Sequence, residues 1–153
     1  MVLLVAAIEG SRGGEVLTQE TELLGVPSFF PGVTMSSMLV IDGSACLARL
    51  FAEIFEKRGW NVATCCDHKA AISRLSGRDA YDVVLLSCQV AGTTGLQLLS
   101  LIRSFEHRKM TAVIMLTRGD EITDEALAAG AAEVLVKPIN PNALIWVVEK
   151  LVC

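Results

Sequence analysis

Between Met38 and Val152 the chain alternates short, dense apolar runs with stretches in which apolar residues recur every three or four positions. Runs of four to six residues bounded by polar or glycine-rich segments suit buried strands, and a three-to-four-residue period suits amphipathic helices. The runs Met38 to Asp42, Asn61 to Cys65, Asp82 to Ser87, Ala112 to Leu116 and Glu133 to Val136 predict five strands. Between them, Cys46, Leu47, Leu50, Phe51, Ile54 and Phe55 form one apolar stripe, and Leu98, Ile102 and Phe105 form another. The final helix has clear punctuation: Asn140 as cap, Pro141 in the first turn, and Leu144, Val147, Val148 and Leu151 along one face. Gly130 suits the end of the fourth helix.

Strands alternating with helices imply a parallel sheet covered on both faces. Right-handed crossovers and short connections then favour an α/β three-layer, doubly wound sandwich with a five-stranded parallel sheet in the order 2-1-3-4-5, the flavodoxin-like arrangement. Ligands of such sheets meet the carboxyl ends of the strands. Residues 1–37 have a different texture, with Gly, Ser and Pro scattered through SRGG and GVPSFFPGV and one weak helical segment near Glu15 to Leu24. They read as an N-terminal extension to a domain at 38–153, either a flexible docking tail or an over-long start with Met35 as the native first residue.

Composition narrows the classes. Aliphatic residues dominate a chain of mean hydropathy +0.52 with 5% aromatics, yet no apolar run is long enough to cross a bilayer. Neither a charged leader nor a convincing cleavage site frames MVLLVAAIEG, so a cytoplasmic location is expected. The net charge of −4 argues against nucleic acid as a direct ligand. Cys46, Cys65, Cys66, Cys88 and Cys153 lack the spacing of a disulfide framework or a zinc site. Cys65 and Cys66 with His68 match no tetrahedral set, because neighbours on a strand point to opposite faces. Cys88 reads as an inert thiol or a redox handle.

Asp42, Ser87, Thr117 and Lys137 fall at or just beyond predicted strand ends, where the topology gathers them around one crevice. The segments MLVIDGSACLARLFAEIFEKRGWNVATC, YDVVLLS, GLQLLSLIR, AVIMLT and ALAAGAAEVLVKPINPNAL resemble a response-regulator receiver domain over about three quarters of the chain. The resemblance implies a fold that accepts a phosphoryl group on an aspartate ending the third strand, with Mg²⁺ held by acidic residues at the end of the first. Asp42, Thr117, Lys137 with its following Pro138, Gly95 and the pair Gly130 and Ala131 match that pattern. Ser87 stands where the family has its acceptor aspartate, Gly43 where it has a second acidic residue, and Val134 at its aromatic switch position. The loop after the acceptor position also departs, with Ala91 and Thr94-Gly95.

Loss of two carboxylates should leave Mg²⁺ binding weak or absent, since this cation depends on carboxylate oxygens. An alcohol at position 87 must shed its proton before attack, and His68 and His107 are placed too far away to take it. Lys137 is expected to turn to Asp42 or to strand-end carbonyls. These features predict a stand-alone pseudo-receiver, not an enzyme, that acts as a phosphorylation-independent interaction module in two-component signalling. Its partner would be a histidine kinase, another regulator or a second copy of itself. Two alternatives are a phosphorelay receiver with an unusual acceptor, Ser87 or Asp120, and a small flavodoxin-like enzyme or nucleotide-binding protein. The latter would need more than the one glycine of Asp42-Gly43-Ser44-Ala45. Trp146 lies off the apolar stripe of the last helix and, with Val134, marks a partner surface.

Overall fold

The computed structural model describes residues 35–119 and 121–152. The extension assigned to residues 1–37 therefore lies outside the described residues up to position 34, as do Asp120 and Cys153. Five strands, β1 (Ser37–Ile41), β2 (Asn61–Cys65), β3 (Val83–Ser87), β4 (Ala112–Thr117) and β5 (Glu133–Val136), form one parallel sheet in the order 2-1-3-4-5. Five helices connect or follow them: α1 (Ala45–Glu56), α2 (His68–Ser76), α3 (Gly95–Ser104), α4 (Thr123–Ala128) and α5 (Pro141–Val152). A short antiparallel ribbon, Gln89–Val90 with Thr93–Thr94, stands between β3 and α3.

Because successive side chains on a strand point to opposite faces, each apolar run feeds two cores. Leu39, Ile41, Val84, Leu86, Val113 and Met115 pack beneath α2, α3 and α4, against residues such as Leu75, Leu98 and Ile102. Met38, Val40, Val83, Leu85, Ile114 and Leu116 pack against α1 and α5 through Phe51, Phe55, Leu144 and Val148. Each fully buried side chain of this size contributes roughly 1.5–3 kcal/mol, so the two faces together outweigh any single polar contact. The β3 strand is buried along its whole length, which explains the unbroken apolar run before Ser87.

The stripe on α1 is narrower than its apolar residues suggest. Cys46 and Leu50 are exposed, and Ala48, Phe51, Ala52 and Phe55 make the buried face instead. Alanines let α1 approach the sheet closely, and Leu50 falls on the side of the helix turned away from the sheet. On α5 the sequence pattern holds: Asn140 Oδ1 accepts from the amides of Asn142 at 2.8 Å and Ala143 at 3.1 Å. Gly130, with φ of +112°, ends the α4 segment in a conformation that favours glycine. Among the described residues no helix is long and apolar enough to cross a membrane.

Candidate functional site

Parallel register brings the strand ends level. Ile41 pairs with Leu86, Ser87 with Leu116, and Thr117 with Val136, so Asp42, Ser87 and Lys137 emerge from β1, β3 and β5 at the same end of the sheet. The Lys137 amide donates to Thr117 O at 2.7 Å, and the following peptide bond to Pro138 is cis.

The Lys137 ammonium bridges two side chains. Its Nζ lies 3.0 Å from Asp42 Oδ2 and 3.2 Å from Ser87 Oγ. Asp42 is almost wholly buried, and its second oxygen, Oδ1, accepts from the Ser44 amide at 2.9 Å. Ser87, fully buried, also accepts from the Gln89 amide at 3.3 Å. A buried carboxylate with an ammonium on one oxygen and an amide on the other is a satisfied group.

Thr117 departs from the expected convergence. It is buried, but its hydroxyl donates to Gly119 O at 2.6 Å and not toward Lys137. The side chains do open on a cavity of about 570 Å³, whose walls include Asp42, Ser44, Ser87, Gln89, Arg118 and Lys137. Thr117 is not among its lining residues. Arg118 was not legible as a site residue, although its position immediately after a strand end was the available signal. Gln89, Thr93 and Thr94 enter the lining through the ribbon.

The two departures in the first and third loops are physically linked. The Gly43 amide donates to Gln89 O at 3.0 Å, and a Cβ added at position 43 would sit 3.0 Å from that same oxygen. A side chain there would push the loop after β3 away. The His68 amide donates to Ala91 O at 2.9 Å, and the ribbon turns at Gly92, whose φ is +90°. The loop is thus strapped to both neighbouring loops by backbone hydrogen bonds. Gly95 is required for another reason: its Cβ would fall 2.4 Å from Ser87 O and 2.8 Å from Cys88 Cα. A reciprocal capping box, Thr94 with Gln97, starts α3 immediately beside it.

Among the described residues no three His, Cys, Asp or Glu side chains gather as a metal site. Cys65 and Cys66 contribute to opposite cores, as adjacent strand residues must. Burial, aided by the neighbouring Cys66, pushes the Cys65 thiol up to about 11. Cys88 is a free, partly buried thiol beside Ser87. His107 is committed elsewhere, with Nε2 2.9 Å from Gly77 O. The expected partner surface divides: Trp146 is 62% exposed with Lys150 Nζ 4.4 Å from its ring centroid. Val134, by contrast, packs partly buried against the core beneath α2, α3 and α4, because its side chain points inward from β5.

The family model described as "Response regulator receiver domain" matches residues 38–149. Among curated proteins, the transcriptional regulatory protein ResD of Bacillus subtilis is 30% identical over 119 residues, 76% of this chain and 48% of its own length. The chain spans about half or less of the curated relatives it matches. Among solved structures, the chemotaxis response regulator CheY4 of Vibrio cholerae superposes with a TM-score of 0.72 at 27% identity, covering 77% of this chain and 99% of that one. The receiver domain of the sensor histidine kinase PA1611 from Pseudomonas aeruginosa, which has a magnesium ion in its active-site cleft, gives a TM-score of 0.70 at 20% identity over 78% and 98%.

Proposed function

Since the chain belongs to the response regulator receiver domain family, we propose that it works in two-component signalling by binding protein partners without accepting a phosphoryl group itself. One observation carries this reading: the Lys137 ammonium is held between Asp42 and Ser87 in a cavity with a single carboxylate among its described lining residues.

Phosphoryl transfer needs a nucleophile and electrostatic stabilisation of the equatorial oxygens. Ser87 Oγ accepts from an ammonium and an amide, so its lone pairs face donors rather than an incoming phosphorus. Among the described lining residues Asp42 is the only carboxylate able to take the hydroxyl proton, and both of its oxygens are already engaged. A magnesium ion such as the one in the active-site cleft of the PA1611 receiver structure would meet, among the described residues lining this cavity, one carboxylate, that of Asp42. Gly43 and Ser87 provide no carboxylate, Asp42 Oδ2 is paired with Lys137, and Gln89 O accepts from Gly43. The described residues of the cavity do not fit Mg²⁺.

Partner binding is then the remaining way to pass a signal, with a histidine kinase, another regulator or a second copy as the partner class. The exposed Trp146 is suited to anchor such a contact, because large aromatic side chains dominate interface energetics. The direct test is incubation with acetyl phosphate and Mg²⁺ followed by denaturing intact-mass measurement. The expected spectrum shows unmodified chain. A stoichiometric phosphate adduct would overturn the reading and favour a receiver with an unusual acceptor. Ser87→Asp alone should also stay unmodified, since position 43 still lacks its acid. A Trp146→Ala chain should recover less of the bound partner in a pull-down, and an unchanged partner set would remove the α5 surface from the proposal.

A further inference from the structure

Thioether sulfur is distributed unevenly over the molecule. Met38 and Met115 are wholly buried, one in each core, whereas Met110 is 96% exposed. Among the described residues it is the most exposed large hydrophobic side chain, ahead of Trp146.

The turn that carries Met110 is built, not loose. After α3 a short 3₁₀ segment, Glu106–Arg108, leads into β4. Arg108 and Thr111 are buried, and Lys109 and Met110 between them are exposed. The Arg103 guanidinium donates from Nη1 to the carbonyls of Arg108 at 3.0 Å, Lys109 at 3.3 Å and Thr111 at 2.8 Å. The Thr111 amide closes the turn on Arg108 O at 3.2 Å. None of these bonds uses an atom of Met110, so its thioether projects from a backbone that is fixed on either side of it.

A thioether is oxidised through a sulfur lone pair, and its susceptibility follows exposure. The sulfur attacks one oxygen of a peroxide, the O–O bond breaks, and the other oxygen leaves as water. At Met110 the added oxygen meets solvent, because the side chain is almost fully exposed. At Met38 or Met115 the same oxygen would be an unpartnered acceptor in an apolar core.

We propose that Met110 is a reversible oxidation site. The folded chain takes up one oxygen atom there from a hydroperoxide, and a methionine sulfoxide reductase removes it as water while a dithiol is oxidised to a disulfide. The mark turns an apolar tip into a polar one at the amino end of the sheet, the end opposite Asp42, Ser87 and Lys137, and leaves the fold intact. It does not rest on the phosphorylation-independent reading.

The test treats the full, folded chain with dilute hydrogen peroxide and maps its peptides after dithiothreitol, which reverses thiol oxidation at exposed Cys46 but not the sulfoxide. Met110 should be oxidised at least tenfold faster than Met38 and Met115, and ahead of the less exposed Met35. Chain oxidised at Met110 should keep its urea midpoint, and methionine sulfoxide reductases A and B together should restore the unmodified mass without denaturant. Oxidation of Met38 or Met115 as fast as Met110, a lowered midpoint, or a sulfoxide reduced only in urea overturns the proposal. In Met110→Leu the fast uptake at this peptide should vanish while Met38 and Met115 keep their rates. A rise in those rates would mean that Met110 supports the fold, and would overturn the proposal as well.

Discussion

At the amino ends of the strands, two arginines sit among backbone carbonyls; at the carboxyl ends, Lys137 is hydrogen-bonded to a carboxylate and a hydroxyl in the wall of a cavity. Arg108 is 1% exposed, with Nε 3.0 Å from Leu75 O and a terminal nitrogen 3.1 Å from Gly77 O, and its guanidinium lies 4.9 Å from the Tyr81 ring centroid. Arg103 reaches Gly130 O at 2.7 Å, Thr111 O at 2.8 Å and Arg108 O at 3.0 Å. Partial desolvation lowers its pKa from the usual arginine value. Several of these carbonyls end α2, where a helix leaves acceptors unpaired and its dipole is negative. The arginines therefore act as fixed caps that join α2, α3 and the turns before β4 and β5. Their partners are backbone atoms, which no substitution removes. Lys137 depends on two side chains, so its environment changes whenever position 42 or 87 does. The difference separates a framework end from an end whose chemistry is set by side-chain identity.

Removing a framework cation should therefore have the largest effect. Arg108→Ala leaves buried carbonyls at the end of α2 without donors, and a loss of about 3 kcal/mol is expected from hydrogen bonds to a charged group. The urea midpoint should fall with an unchanged slope, and a fall worth under about 1 kcal/mol would make the amino-end cluster dispensable. Arg108→Lys should recover less than half, because an ammonium cannot fork to the same acceptors. Gly95→Ala comes next. Its methyl would collide with backbone at Ser87 and Cys88, for an expected cost of about 2 kcal/mol from overpacking. A neutral result there would mean that the loop after β3 yields easily and that the strap through Gly43 and Gln89 is loose.

The same contrast explains what the chain disclosed before its structure. Five strands, their order and the caps at Asn140 and Gly130 follow from periodicity and punctuation, because burial and backbone geometry act locally on residue type. Three strand-end residues, Asp42, Ser87 and Lys137, were placed together by topology alone. The Thr117 hydroxyl was misplaced, since the sequence does not say which acceptor a short side chain will choose when Gly119 O is within reach. Arg103 and Arg108 drew no notice because an arginine near a helix end ordinarily faces solvent, and only packing of α2 against the turn after α3 turns Arg108 inward. Arg118 was missed for the opposite reason: it is exposed, and only the cavity beside it sets it apart from other surface arginines. Leu50 and Cys46 show the limit of counting apolar residues, as alanines took the buried positions on α1.

A double-mutant cycle tests whether the carboxyl end is side-chain dependent. Lys137→Met strips the buried Asp42 carboxylate of its ammonium, and a loss of about 2 kcal/mol is expected, somewhat below that of a fully buried pair because Lys137 keeps some exposure. Asp42→Asn in the same chain should restore most of it, giving a coupling of about 1 kcal/mol or more in thermal or urea unfolding. Additive losses would show that Lys137 is held by backbone, as the arginines are, and the contrast between the two ends would close.

The smallest effect tests burial without any ion pair. The Cys65 thiol is raised from 9.0 to about 11, so the folded state disfavours its ionised form relative to the unfolded chain. A folded pKa above the unfolded one gives stability that is fully present below pH 9 and is lost as pH rises toward 11. Wild type should lose stability across that window faster than Cys65→Val, in which nothing ionises at that position. A thiol reagent at pH 8 gives the kinetic counterpart: exposed Cys46 should react well before buried Cys65. If Cys65 reacted as fast as Cys46, the end of β2 would open to solvent, and the cavity edge beside Asp42, whose amide is bonded to Cys65 O, would be softer than its hydrogen bonds imply.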